Sequence, residues 1–292
     1  MKKSYILLHS AILFLGFSPV FGKLITLNEG LLTFYRVLFT AVILFFVLKF
    51  YKIDRSIPKN EKLKIGQVGI LLTISWLFFF AGIKYSNISI GVVCFSMASF
   101  FTAVLNPLIN KTKFIWSEFI LSILIMIGIL CLFQVDSSYQ FGIILGVISP
   151  IFYTLYSIYN KQLVEKYDSK LINYYQMISG SIFLGILMPV YLYFNPSTAI
   201  IPDFKNFIYL LLLAFFCTVL VYLFLTEALK KVSAFTANLT MNLEPVYAIV
   251  IAFLFFEEGK KANLWFYVGI GLIVLSILIQ FYLTKRKSFE KV

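Results

Sequence analysis

Three features of the sequence predict an all-α polytopic membrane protein of ten transmembrane helices. Hydrophobic residues fill 61% of the 292 positions and charged residues only 13%, about half the charged share of a soluble domain. The apolar residues gather in runs of roughly 20, the length a helix needs to cross a hydrocarbon core of about 30 Å. Lys and Arg collect on alternate connections between those runs. A soluble fold would have to expose apolar patches well beyond the few hundred Å² (roughly) that monomers tolerate, and no stretch is left over for a soluble domain.

The first run needs the most care. Met1-Lys2-Lys3 followed by apolar residues from Tyr5 has the shape of a signal peptide, with a basic n-region and an h-region. The run continues to Ile25, no A-x-A-like site ends it, and Ser18-Pro19 interrupts it. It is therefore read as an uncleaved helix over 5–26. A second span, 31–51, opens after Asn28-Glu29 and closes at Lys49–Lys52. A third, 65–84, follows the lysines at 59, 62 and 64. The fourth, 88–110, lies between Ser86-Asn87 and Lys111. Spans over 117–134, 140–161, 171–194, 206–228, 233–256 and 263–284 are bounded in the same way by polar punctuation. Runs of this length without alternation exclude a strand barrel.

Assigning loops alternately places 19 Lys and Arg on the side of the N-terminus and five on the other. That split predicts both termini on the cytoplasmic side. It also explains the net charge of +12 without nucleic acid, since no basic, aromatic-interleaved patch exists outside the apolar runs. Cys94, Cys131 and Cys217 lie within apolar runs and read as small buried hydrophobes. With His9 the only histidine, no metal site or cofactor is expected.

A faint repeat places positions 81–107 over 227–253, an offset of 146, half the chain. Gly82-Ile83-Lys84 and Ala228-Leu229-Lys230 open the two segments. Five spans per half is an odd number, so two such halves would enter the membrane with opposite orientation. The expected units are residues 1–136 and 137–292.

The second half carries Thr226-Glu227-Ala228-Leu229-Lys230-Lys231-Val232-Ser233-Ala234, then Leu243-Glu244-Pro245-Val246, Phe255-Phe256-Glu257-Glu258 and Gly269-Ile270-Gly271-Leu272-Ile273. The first half has Gly16-Phe17-Ser18-Pro19-Val20-Phe21-Gly22-Lys23, Phe34-Tyr35-Arg36 and Lys84-Tyr85-Ser86. In order and spacing these resemble the EamA-type branch of the drug/metabolite transporter superfamily. The resemblance implies ten helices in two inverted-topology five-helix repeats. It also implies a central cavity lined mainly by spans 1, 3, 4, 6, 8 and 9. The chain departs from the family pattern at Phe256, where Gly is common. It departs again at Asn110-Lys111-Thr112, which lacks Glu, and at Ser99, where Pro is common.

Ionisable residues inside spans are functional candidates by default, because placing a charge there costs about 2.5–3.5 kcal/mol on insertion scales. Glu244 falls near the middle of span 9. Beside it the Pro245 nitrogen cannot donate to the helix ladder, which leaves the Met241 carbonyl free. It reads either as a functional carboxyl or as a structural one bonded to a neighbouring helix. On that helix Asn238, Asn242 and Pro245 share one face and Thr240 and Glu244 another; the spacing leaves open which lines the cavity. Arg36 reads as snorkelling or pairing with Glu29, or as a fork for a substrate carboxylate.

Deep aromatics on the spans implied for the cavity are Phe14, Phe17, Trp76, Phe79, Phe95, Phe152, Tyr153, Tyr156 and Tyr222. Ser96, Ser99, Asn106, Ser149, Thr218, Asn238 and Asn242 could add polar handles, or simply join helices. Gly142 and Gly146 form a GxxxG that predicts close helix packing.

Three function classes compete. The first is a secondary transporter moving a small organic metabolite, an amino acid or similar, outward across a bacterial inner membrane by alternating access. No Walker motif is present to couple it to ATP. The second is an efflux pump for lipophilic cations using Glu244. The third, an intramembrane enzyme, lacks its motifs: no G-x-S-x-G, HExxH or paired Asp occurs, and Ile178-Ser179-Gly180 is the nearest approach. The expected partners are a small-molecule substrate and the lipid bilayer.

Overall fold

The computed structural model describes residues 2–53, 57–132, 137–196, 199–233, 237, 240–241, 243–256 and 263–289, and among them every regular element is helical. The elements are α1 (Lys2–Leu15), α2 (Ser18–Leu24), α3 (Glu29–Phe50), α4 (Lys59–Lys84), α5 (Ile88–Phe95), α6 (Ala98–Asn110), α7 (Trp116–Leu132), α8 (Gln140–Leu163), α9 (Ser169–Phe194), α10 (Phe204–Ala214), α11 (Val221–Leu229), α12 (Glu244–Phe255) and α13 (Leu264–Phe289). A π-helical stretch, Phe215–Leu220, joins α10 to α11.

Polar punctuation starts the helices as the sequence suggests. The side chains of Asn28, Asn87, Asp168 and Asp203 accept from the backbone amides of Leu31, Ile90, Lys170 and Asn206. Each satisfies one of the donors that a helix start leaves unpaired. Among the described residues, seven segments are long and apolar enough to cross a membrane: Ser4–Leu24, Glu29–Phe50, Lys59–Lys84, Ile88–Asn110, Gln140–Leu163, Ser169–Phe194 and Phe204–Leu229. The other three expected spans correspond to α7, to the segment ending in α12, and to α13. Shorter apolar stretches, Phe119–Gly128 and Tyr267–Ser276, lie in α7 and α13.

Four expected spans depart from a continuous α-helix. Span 1 breaks at Gly16-Phe17, with Pro19 in the first turn of α2. Proline there surrenders only an amide that a helix start leaves unpaired anyway. Span 4 breaks at Ser96-Met97, whose amides take the carbonyls of Val93 and Cys94 three residues back. Span 8 carries the π stretch. In span 9, α12 begins at Glu244 with Pro245 in its first turn, and Leu243 N–H bonds Thr240 O at 3.1 Å. Glu244 therefore opens a helix rather than sitting inside one. The starts of α6 and α12 lie 146 residues apart, the offset of the sequence repeat.

Glycine lets the long helices approach. A Cβ on Gly82 of α4 would lie 2.9 Å from the Gly146 Cα of α8. A Cβ on Gly142 would lie 2.7 Å from the Tyr85 backbone. The GxxxG of span 6 thus meets α4, as its spacing predicts. Gly69 of α4 faces the Gln176 backbone of α9, and Gly180 of α9 faces Thr73. Outward-facing Phe46, Phe50, Ile186 and Phe194 are largely exposed, as suits lipid contact.

Candidate substrate cavity

The helix breaks converge on one small cavity. Its walls are Leu15, Ser18, Arg36, Trp76, Phe79, Phe95, Tyr222, Met241 and Glu244. It measures about 10 Å³, room for roughly one water molecule.

Arg36 enters from α3. Asn28 caps that helix and sets its phase, so that Thr33, Arg36, Val37, Thr40 and Leu44 turn inward together. Only 1% of Arg36 is exposed. It neither snorkels nor pairs with Glu29, which instead accepts from Tyr191 Oη at 2.6 Å. The guanidinium carbon lies 3.9 Å from the centroid of the Trp76 ring, within cation–π range. Nε donates to Thr218 Oγ1 at 2.9 Å and Nη2 to the Cys217 carbonyl at 3.1 Å.

The π stretch makes those acceptors available. In an α-helix the Val221 amide would take the Cys217 carbonyl; here it bonds Thr218 O. Thr218 Oγ1 in turn donates to Leu213 O, five residues back. The widened turn thus presents one carbonyl and one hydroxyl to a charge on another helix. Such stretches recur at functional sites.

Glu244 comes from the opposite side, 2% exposed. Its Oε2 has no hydrogen-bond partner among the described residues, and neither has the buried Ser18 Oγ on the same wall. Glu244 and Arg36 line the same cavity, and no ion pair joins them. The cavity therefore holds a cation fixed by neutral groups and a carboxyl group whose Oε2 is left unbonded. Burying such atoms costs about 1–3 kcal/mol each unless something bonds them.

Aromatic rings line the remainder. Trp76 Nε1 donates to Tyr222 Oη at 3.0 Å, and these two residues are also 146 apart in sequence. Phe79, Phe95, Tyr153 and Tyr156 continue as a chain of tilted and edge contacts, with neighbouring centroids 4.8–5.7 Å apart. Tyr153 Oη points at Met241 Sδ, 2.7 Å away.

The structure gathers Trp76, Phe79, Phe95, Tyr222, Glu244 and Arg36 at the cavity, with Tyr153, Tyr156 and Thr218 directly behind. Ser96 and Ser99 instead bond back to the carbonyls of Val92 and Ser96 and serve the helix break. Phe17 lies in the span 1 break and is 45% exposed, because the break resets the helix phase. Phe14 packs against Phe216. Asn238 and Asn242 lie outside the described residues. Sequence reasoning missed Leu15, Ser18 and Met241. Ser18-Pro19 reads in sequence as an interruption, and a proline fit for the first turn of a new helix is the signal that places Ser18 at that helix start.

Side-chain bonds join the helices toward both ends of the bundle. Toward the lysine-poor face, Thr26 and Asn206 exchange two bonds, Thr26 N to Asn206 Oδ1 at 2.9 Å and Asn206 Nδ2 to Thr26 Oγ1 at 2.8 Å. Lys84 Nζ donates to the Ile25 carbonyl at the end of α2. Toward the lysine-rich face runs a buried seam. Gln176 donates to Asn160, Asn160 to Tyr156 Oη, and Asn173 to Thr226.

The model of the EamA-like transporter family matches residues 2–134 and residues 140–282. The chain belongs to the EamA-like transporter family. This EamA-like chain is accordingly a multi-pass membrane protein of a transporter family. It is 23% identical to an uncharacterized transporter of Clostridium kluyveri, over 99% of this chain and 96% of that one. It is 24% identical to the uncharacterized transporter YyaM of Bacillus subtilis, over 95% and 97%. An uncharacterized transporter of Archaeoglobus fulgidus is 25% identical over 99% of both. The EamA-like fold is shared with a solved crystal structure at TM-score 0.70 and 11% identity, covering 98% of this chain and 99% of that one.

Proposed function

We propose that this chain is a secondary transporter that moves a small organic metabolite bearing both a carboxylate and an ammonium group, an amino acid or similar, outward across a bacterial inner membrane. The observation that carries the reading is the presence of both Arg36 and Glu244 on the walls of one small, aromatic-lined cavity. A guanidinium fork matches a carboxylate. The unbonded Glu244 Oε2 and the Ser18 hydroxyl match the donors of an ammonium. The cavity, about 10 Å³ here, widens before such a ligand enters, and the bound ligand then removes the burial cost of both orphaned atoms.

The architecture behind this reading is ten helices in two inverted five-helix repeats, 1–136 and 137–292, both termini cytoplasmic. Its supports are the separate match of the family model to each half and the shared 146-residue spacing of the two helix starts and of the Trp76–Tyr222 pair. Alternating access then consists of breaking one seam at a time, Thr26–Asn206 with Lys84 on the outer side or the Asn160–Gln176 seam on the inner side. Reporter fusions after Lys62, Lys113 and Lys170 read cytoplasmic and those near Asn28, Ser138 and Asn195 external; reversal at two sites contradicts the topology.

A lipophilic-cation pump is the second reading, favoured by the aromatic walls around Glu244. The fixed charge of Arg36 in the same cavity opposes it. The two separate in an export-deficient host expressing the protein. Growth in the presence of toxic amino-acid analogues supports the first reading, and resistance confined to lipophilic cations supports the second.

A further inference from the structure

A far roomier space than the central cavity lies elsewhere. A cleft of about 430 Å³ opens between the first turns of α4 and the last turns of α8, at the lysine-rich end of both. It shares no lining residue with the central site. Around α4 at 100° per residue, Gln67 lies about 180° and Leu71 about 140° from Trp76, which faces the cavity. Around α8, Tyr159 lies about 120° from Tyr153. The cleft therefore opens on the outer flank of the α4–α8 pair, and Tyr159 and nearby Leu63 are exposed there.

Its chemistry is graded by depth. At the rim stand the ammonium groups of Lys64 and Lys166, with the amides of Gln67 and Gln162 just below them and the Tyr159 phenol deeper along α8. One and two turns further into α4, the floor is Val68 and Leu71. Glu61 is already engaged, accepting from Lys64 Nζ and from Tyr167 Oη at 2.8 Å each. Lys166 has no ion-pair partner among the described residues, so the rim carries a net positive charge. A soluble anion would use the rim and leave the apolar floor wet. A phosphate at the membrane interface with hydrocarbon hanging beneath it uses both. Basic pockets between helices at this depth suit anionic headgroups.

We infer that the α4–α8 cleft is a binding site for an anionic phospholipid, with the phosphate between Lys64 and Lys166 and the start of an acyl chain on Val68 and Leu71. The site is independent of the transported substrate.

The test uses the full-length purified protein in detergent, read by native mass spectrometry during titration with phosphatidylglycerol, phosphatidylcholine or inorganic phosphate. Phosphatidylglycerol is retained preferentially. The double variant Lys64→Gln/Lys166→Gln weakens its retention about fivefold or more per lysine. Lys113→Gln/Lys231→Gln, which removes the same charge elsewhere on that face, leaves it unchanged. Leu71→Trp fills the floor with both lysines intact and also weakens retention, so the proposal does not hang on one variant. Equal retention of phosphatidylcholine, equal loss in both lysine pairs, competition by free phosphate at equal concentration, or full retention in Leu71→Trp would each overturn it. The central-cavity reading predicts none of these outcomes, so the two proposals fail separately.

Discussion

The two central helix breaks share a position and differ in chemistry. One ends at Ala98 and the other at Glu244, 146 residues later. At the first, every polar side chain is consumed locally: Ser96 and Ser99 bond their own helix, and Thr102 and Thr154 bond the Ala98 carbonyl. At the second, a buried carboxyl oxygen goes without a partner and faces an arginine held by a different helix. The difference teaches that backbone geometry and ligand chemistry are separable in this protein. Both interruptions reset the helix, and the one that also carries charge leaves an unbonded carboxyl oxygen on the wall it shares with Arg36.

Several substitutions break or sharpen that contrast. The largest effect comes from moving the charge to the wrong break. Ala98→Glu buries a carboxyl at a place Arg36 does not reach, since its bonds go to Cys217 and Thr218. The expected cost is about 2.5–3.5 kcal/mol, seen as loss of folded protein after detergent extraction. If Ala98→Glu folds as well as the wild type, the two breaks are chemically equivalent and the contrast fails.

Next in size is Arg36→Lys. A lysine keeps the charge but cannot span Thr218 and the Cys217 carbonyl while presenting a fork to the cavity. Transport of a carboxylate substrate falls about tenfold or more, with expression near normal. Unaltered transport would make Arg36 a structural charge only.

A smaller effect is expected from Thr218→Val, which keeps the β-branched shape and removes the acceptor of Arg36 Nε. Leaving a charged donor short of one bond costs about 1–3 kcal/mol, measured as a lower midpoint of thermal unfolding. Thr218→Ser restores the midpoint if the hydroxyl is what matters. The smallest effect belongs to Ser99→Pro. This puts proline in the first turn of α6, where Pro245 sits in α12, and proline is tolerated there. Stability changes by less than about 1 kcal/mol. A collapse in yield would show that the two breaks differ in backbone as well as in chemistry.

Much of the frame was legible in the sequence, because apolar length and polar punctuation are local signals. Asn28, Asn87, Asp168 and Asp203 mark helix starts by side-chain bonds within three residues. The breaks were less so. Ser96-Met97 contains neither Gly nor Pro, and hydropathy does not register a backbone that changes from i−4 to i−3 bonding. The phase shift at Gly16-Phe17 then turned Phe17 outward and Ser18 inward, against the face that continuous winding implies. Arg36 was the hardest to read. Its partners lie 181 and 182 residues away, one of them is a backbone carbonyl, and both depend on a π stretch whose residues, Phe215–Leu220, look like any apolar helix. Glu244 was legible as costly, but its orphaned oxygen is a property of the packed cavity.

Glu244 offers the most direct test. Gln replaces the carboxylate with an amide of nearly the same shape, so the helix start and the aromatic walls stay intact. The measurement is counterflow of a radiolabelled amino-acid substrate in liposomes reconstituted with matched amounts of wild-type and Glu244→Gln protein, across a range of pH. The account predicts that Glu244→Gln folds normally, loses most of its flux and loses whatever pH dependence the wild type shows. Wild-type flux with an unchanged pH profile in Glu244→Gln would contradict it.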